Sequence, residues 1–146
     1  MTHWPPAVLL GVHRDAIGQA MRDMLRACGI RELDLRYSSP EVSESVRKQS
    51  WMWDVLILDG SLAGGLQAVE TIRQTMGRKL KIIVIFSGPK REDILEALRA
   101  GVNDFLAYPV SRATVEKKLR RLMDQEERAR PGAAVSRSAS ELPSRT

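Results

Sequence analysis

The sequence predicts a doubly wound α/β sandwich, a parallel sheet covered by helices on both faces. Three observations carry the prediction. Short runs of Val, Ile and Leu alternate with longer stretches whose apolar residues recur every three or four positions. The strongest run, Val55-Leu56-Ile57-Leu58, has no polar break, which suits a central strand buried on both faces. Several runs end on a polar or turn residue, and beyond the carboxyl ends of parallel strands is where ligands and chemistry gather.

In order, residues 7–12 form a first buried strand. Asp15 is placed to cap a helix carrying Ile17, Met21, Met24, Leu25 and Cys28, which Gly29 ends. Leu33, Leu35 and Tyr37 alternate with Asp34 and Arg36, the pattern of a strand nearer an edge. Ser39-Pro40 reads as a hydroxyl cap and a first-turn proline for a short helix with Val42 and Val46. Trp51 and Trp53 are expected to cover the end of the core. The central strand ends at Asp59, and Gly60 lets the chain turn away.

Leu66, Val69, Ile72 and Met76 mark the next helix. Residues 80–86 form a fourth strand ending at Ser87. Gly88-Pro89 opens a helix with Glu92 and Asp93 in its first turn and Ile94, Leu95 and Leu98 on its apolar face, and Gly101 stops it. Residues 104–109 give the last strand. Ser111 caps a final helix with Val115, Leu119, Leu122 and Met123 facing inward. This divides the chain into a folded domain over 6–125 and a tail over 126–146, rich in Ser and Arg and poor in large apolar residues, which is expected to be disordered.

Composition narrows the function. The 146 residues suit one domain with a real core, and the single cysteine excludes an internal disulfide framework. There is no membrane-length apolar run and the start lacks the pattern of a secretory signal, so a cytoplasmic protein is expected, with no membrane partner. The net charge is +5. Residues 124–146 balance Asp124, Glu126, Glu127 and Glu141 against Arg128, Arg130, Arg137 and Arg145, so the surplus lies in residues 1–123. Such a domain suits an acidic protein or an anionic ligand. No DNA- or RNA-reading motif is visible, which makes nucleic acid an unlikely partner.

The motifs Asp54-Val55-Leu56-Ile57-Leu58-Asp59, Ile85-Phe86-Ser87 and Ala97-Leu98-Arg99-Ala100-Gly101-Val102-Asn103-Asp104-Phe105-Leu106, followed by Pro109, are distinctive together. With them the chain resembles the receiver domain of bacterial two-component response regulators, of the chemotaxis-regulator type. The resemblance implies a flavodoxin-like (β/α)5 sheet in the order 2-1-3-4-5. It makes Asp59 the phosphoacceptor candidate and Ser87 and Phe105 the switch candidates, with Tyr108-Pro109 in the place of a Lys-Pro pair whose peptide bond is typically cis.

The departures are as informative as the matches. The family holds Mg²⁺ with two adjacent acids after the first strand, and by register those places belong to Val12 and His13. The phosphoryl-neutralising lysine is replaced by Tyr108. No metal site is therefore expected, and Mg²⁺ would enter only with phosphorylation. Loss of metal and lysine together predicts phosphoryl transfer slowed by several powers of ten. His13 reads first as a solvated rim histidine, with pairing to Asp59 as the alternative.

No other catalytic constellation is visible, so a non-enzymatic, stand-alone signalling module is expected, one that docks onto other proteins. The resemblance directs docking to the face of the fourth helix, fifth strand and fifth helix. Arg99, Lys117, Lys118, Arg120 and Arg121 are the candidates there for an acidic partner, a histidine kinase or phosphotransfer protein, or a second copy. The alternative reading is an anionic-nucleotide effector of the cyclic-dinucleotide type, held by Arg112, Lys117, Arg120, Arg121, Arg128 and Arg130.

Overall fold

The computed structural model describes residues 4–76 and 79–128, without the side chains of 126–128. Strands and helices alternate: β1 (Val8–Gly11), α1 (Ala16–Ala27), β2 (Leu33–Arg36), α2 (Ser39–Lys48), β3 (Val55–Asp59), α3 (Gly65–Met76), β4 (Lys81–Ser87), α4 (Arg91–Ala100), β5 (Asp104–Tyr108) and α5 (Arg112–Arg128). The strands form one parallel sheet in the order β2-β1-β3-β4-β5, as the sequence predicts.

Period-two alternation splits the core into two layers. Val8, Leu10, Ile57 and Ile85 face α1 and α5, packing with Met21, Leu25, Leu119 and Met123. Leu9, Leu56, Leu58 and Val84 face the other way, onto Val42, Val46, Val69, Ile72 and Ala97. All five residues of β3 are buried, so each large apolar one contributes about 1.5–3 kcal/mol to folding. This explains the unbroken apolar run. No helix among the described residues is long and apolar enough to cross a membrane.

The Asp15 cap forms, its Oδ1 accepting from Gly18 N–H at 2.9 Å, and Ser111 Oγ accepts from Thr114 N–H at 3.1 Å. Other local expectations need correction. Ser38, not Ser39, caps α2 by accepting from Glu41 N–H. Ser39 instead donates its hydroxyl to the Ala63 carbonyl at 2.7 Å, tying α2 to the loop beyond β3. Tyr37 lies just beyond β2. Pro89 stands outside α4, which starts at Arg91; Asp93 closes that start by accepting from Lys90 N–H at 2.9 Å.

Trp53 is buried, but Trp51 is 81% exposed and covers no core. Leu98 is 47% exposed, and the buried face of α4 is made of Ala97 and Ala100 instead. Small residues let that helix sit close to the sheet, which leaves the bulkier side chains outside. Finally, α5 runs through Arg128, past the expected boundary at 125, and the rest of the expected tail lies outside the described residues.

Candidate functional site at the carboxyl rim of the sheet

β1 and β3 are neighbours in register, Gly11 opposite Leu58, so His13 and Asp59 reach the same rim. The chain leaves β3 in a tight turn. Gly60 N–H donates to the Ile85 carbonyl at 2.8 Å, and a Cβ at residue 60 would lie 2.7 Å from the Phe86 ring. Only glycine permits that approach. The turn aims Ser61 back at the strand end. Asp59 is 6% exposed, and its Oδ1 accepts from Ser61 N–H at 2.8 Å and Ser61 O–H at 2.7 Å. Ser61 Oγ in turn lies 2.9 Å from His13 Nε2.

The proton positions follow from the partners. An ionised carboxylate only accepts, so the Ser61 proton lies toward Asp59. The Ser61 oxygen then has lone pairs to offer, and His13 Nε2 carries the hydrogen that points at them. The result is a relay, His13 Nε2–H to Ser61 O–H to Asp59. His13 is held there by the loop after β1: Val12 N–H donates to the Arg36 carbonyl at 3.0 Å. Gly18 lets α1 pack onto this loop, since a Cβ there would sit 2.4 Å from the His13 carbonyl.

Val12 is fully buried in the apolar core and offers the rim nothing polar. Tyr108 packs beside the same core, and its bond to Pro109 is cis. Ser87 is exposed and stands opposite Tyr108 on the neighbouring strand. No hydrogen bond joins it to Asp59 among the described residues. Phe105 is half-buried, with the Lys118 ammonium 5.2 Å from its ring centre. The structure thus brings Asp59 and His13 together, keeps Ser87 and Tyr108 as a second pair along the rim, and sets Phe105 apart from both.

These residues do not fit Mg²⁺. The ion is hard and demands oxygen ligands in octahedral array. Asp59 is flanked by an imidazole and a valine, and the Asp15 carboxylate caps α1. Among the described residues no three His, Cys, Asp or Glu side chains converge on a possible metal position.

The proposed basic face is also less open than its composition suggests. Lys118 and Arg121 both bind Asp104, at 2.9 and 3.0 Å. Arg120 binds Glu116 at 3.0 Å and stacks on Trp4 at 4.0 Å, and Arg112 reaches the Ala27 carbonyl. Only Lys117 and Arg99 of the docking candidates have no partner among the described residues. The nucleotide reading loses most of its cations this way, and the Arg128 side chain and Arg130 lie outside the described residues. Burial pulls the Asp104 carboxyl upward, but hydrogen bonds from Lys118, Phe105 N–H and Arg121 outweigh it and hold it below the usual range. Burial, with Glu116 nearby, raises the Cys28 thiol, which makes it a poor nucleophile.

Sequence reasoning placed Asp59 and His13 on one rim but did not find Ser61 between them. The signal was a serine two residues after an aspartate at a glycine turn, a spacing that favours side-chain to backbone bonding. It also missed the ~460 Å³ cleft beside His13, lined by Arg14, Asp15, Gln19, Arg22 and Tyr37, where Arg14 stacks on the Tyr37 ring at 3.7 Å.

The family model for the response regulator receiver domain matches residues 13–120, well over half of the chain. This chain belongs to the response regulator receiver domain family. The receiver is 32% identical over 76 residues to chemotaxis protein CheY-3 of Vibrio cholerae, a match covering 50% of this chain and 58% of that protein. Among solved structures it is similar to the receiver domain of a sensor histidine kinase from Pseudomonas aeruginosa, which holds a magnesium ion in its active-site cleft. That match has 28% identity and a TM-score of 0.70, covering 82% of this chain and 98% of the other. The receiver domain of Ssk1 from Saccharomyces cerevisiae, solved with the histidine phosphotransfer protein Ypd1, shares the fold at 21% identity and TM-score 0.71, over 85% and 93% of the two chains.

Proposed function

We propose that this receiver is an atypical signalling module of a two-component or phosphorelay pathway whose output is protein docking. It keeps Asp59 but has given up the metal and lysine positions of the family site. The observation that carries this reading is the rim itself. The Asp59 carboxylate is committed to Ser61, and Val12, His13 and Tyr108 stand where two acids and a lysine are expected. Mg²⁺ has no role in the resting module on this reading.

The docking surface is the face of α4, β5 and α5. Leu98 is its exposed apolar element, with Arg99 and Lys117 as cations without a partner among the described residues. An apolar centre with a thin basic rim suits a histidine phosphotransfer protein or kinase docking domain with a few acidic residues at its edge, and a second copy of the chain is the other candidate occupant. The Ssk1–Ypd1 complex supplies the analogy for the partner class. Titration calorimetry against the phosphotransfer and kinase docking domains of the same genome tests the reading. Leu98→Asp should weaken binding roughly tenfold or more and Arg99→Glu less, with moderate salt dependence. Binding that ignores both substitutions, or no binding to any member of the panel, would refute it.

A further inference from the structure

The hydrogen-bonded relay defines the state of His13 more closely than that of any other rim residue. With Nε2–H committed to Ser61, the lone pair of the neutral ring lies on Nδ1, which makes no hydrogen bond to a described residue. A carboxylate acting through Ser61 stabilises positive charge that builds on the ring. This is the arrangement that orients an imidazole and strengthens its free nitrogen as a nucleophile. The same histidine borders a cleft large enough for a small phosphorylated donor. Arg14, stacked on the Tyr37 ring, and Arg22, in a long 3.5 Å contact with the exposed Asp23, line that cleft, and the Asp15 carboxylate there is tied down by Gly18 N–H.

We propose that His13, rather than Asp59, is the phosphoryl acceptor of this rim, and that Asp59 serves through Ser61 as its positioning residue. The donor class is a phosphoramidate, whether a phosphohistidine on a partner protein or a small N–P compound. The Nδ1 lone pair forms an N–P bond as the donor's N–P bond breaks. That electron pair leaves with the donor nitrogen, which takes a proton from solvent. The Nε2 proton stays on His13, now an imidazolium, and points at Ser61, whose own proton remains on the Asp59 side. One N–P bond replaces another, so the exchange is close to balanced. The phosphoryl oxygens face Arg14 and Arg22, and no step requires a metal. This proposal goes beyond the docking reading, which needs no chemistry at the rim and is tested at α4.

The test is intact-mass analysis of the full chain incubated with phosphoramidate, and separately with acetyl phosphate, with and without Mg²⁺. A single phosphoryl adduct should form without Mg²⁺, survive alkali, and be lost in dilute acid. Peptide mapping of the unsubstituted chain should place it on His13. It should be absent from His13→Gln, unchanged in His3→Gln, and formed roughly tenfold more slowly in Asp59→Asn and Ser61→Ala. An adduct cleaved by alkali and lost in Asp59→Asn would make Asp59 the acceptor and overturn the proposal. An adduct on His13 indifferent to Asp59→Asn and Ser61→Ala would overturn the relay, and no adduct with either donor would overturn the whole.

Discussion

Asp59 and Asp104 stand at opposite rims of one parallel sheet, the first closing β3 and the second opening β5. Each carboxylate is largely removed from water, yet they are satisfied in opposite ways. Asp104 collects Lys118, Arg121 and the Phe105 N–H. Asp59 pairs with no cation among the described residues; it collects one hydroxyl and one N–H from Ser61. A receiver of the ordinary kind concentrates positive charge where Asp59 stands, because phosphoryl transfer needs it there. Here the cations of α5 serve the amino rim, where they hold a helix against a strand. The positive charge of this domain is therefore partly structural, and the Asp59 carboxylate is satisfied by uncharged donors.

Substitution at the two aspartates should break the symmetry most visibly. Asp104→Ala strips the part-buried Lys118 ammonium of its carboxylate and frees the exposed Arg121, and the loss of these charge-assisted bonds should cost about 2 kcal/mol in urea unfolding. Asp59→Ala frees only Ser61, which water can reach, and should cost about 1 kcal/mol. Equal costs would show that the two carboxylates do the same work.

The pH dependence sharpens the contrast. The Asp104 carboxyl is held below its ordinary value in the fold. Its contribution is therefore complete above the unfolded value of about 4 and disappears as pH falls through the lower folded value. The stability gap between the native chain and Asp104→Ala should be constant near neutrality and close below about pH 4. A gap that persists into stronger acid would mean that packing of the side chain, not its charge, holds β5 to α5.

Smaller effects belong to the relay. Ser61→Ala removes the bridge and should cost about 1 kcal/mol while speeding exchange of the His13 Nε2 proton seen by NMR. His13→Gln, at a half-buried position, should change stability by about 0.5 kcal/mol or less. A large loss in His13→Gln would assign the ring a packing role and weaken the case for a nucleophile.

The fold was legible because it rests on periodicity. The apolar run at Val55–Asp59 and the helical spacing of Met21 and Leu25 report directly on burial. The placement of Val12, His13 and Tyr108 at the carboxyl ends of β1 and β5 was legible too, since it follows from register. Ser61 was not, because its contact with His13 spans 48 residues and depends on how a glycine turn aims one hydroxyl. The pairing of Asp104 was half visible: Lys118 and Arg121 share a helix face, but only the packing of α5 shows what they face. The exposure of Trp51 and Leu98 was hidden for a related reason. Periodicity marks an apolar side chain but does not say whether a neighbour covers it.

The Asp59–Ser61–His13 rim is read as a hydrogen-bonded relay that holds no metal. A Mg²⁺ titration through the millimolar range, followed by NMR at the Gly60 and Ser61 amides and the His13 ring nitrogens, tests it directly. A relay without a metal gives no saturable shift and an imidazole that keeps its proton on Nε2 throughout. Saturable shifts at Gly60 and Ser61, with His13 released from Ser61 as Asp59 turns to the ion, would contradict it.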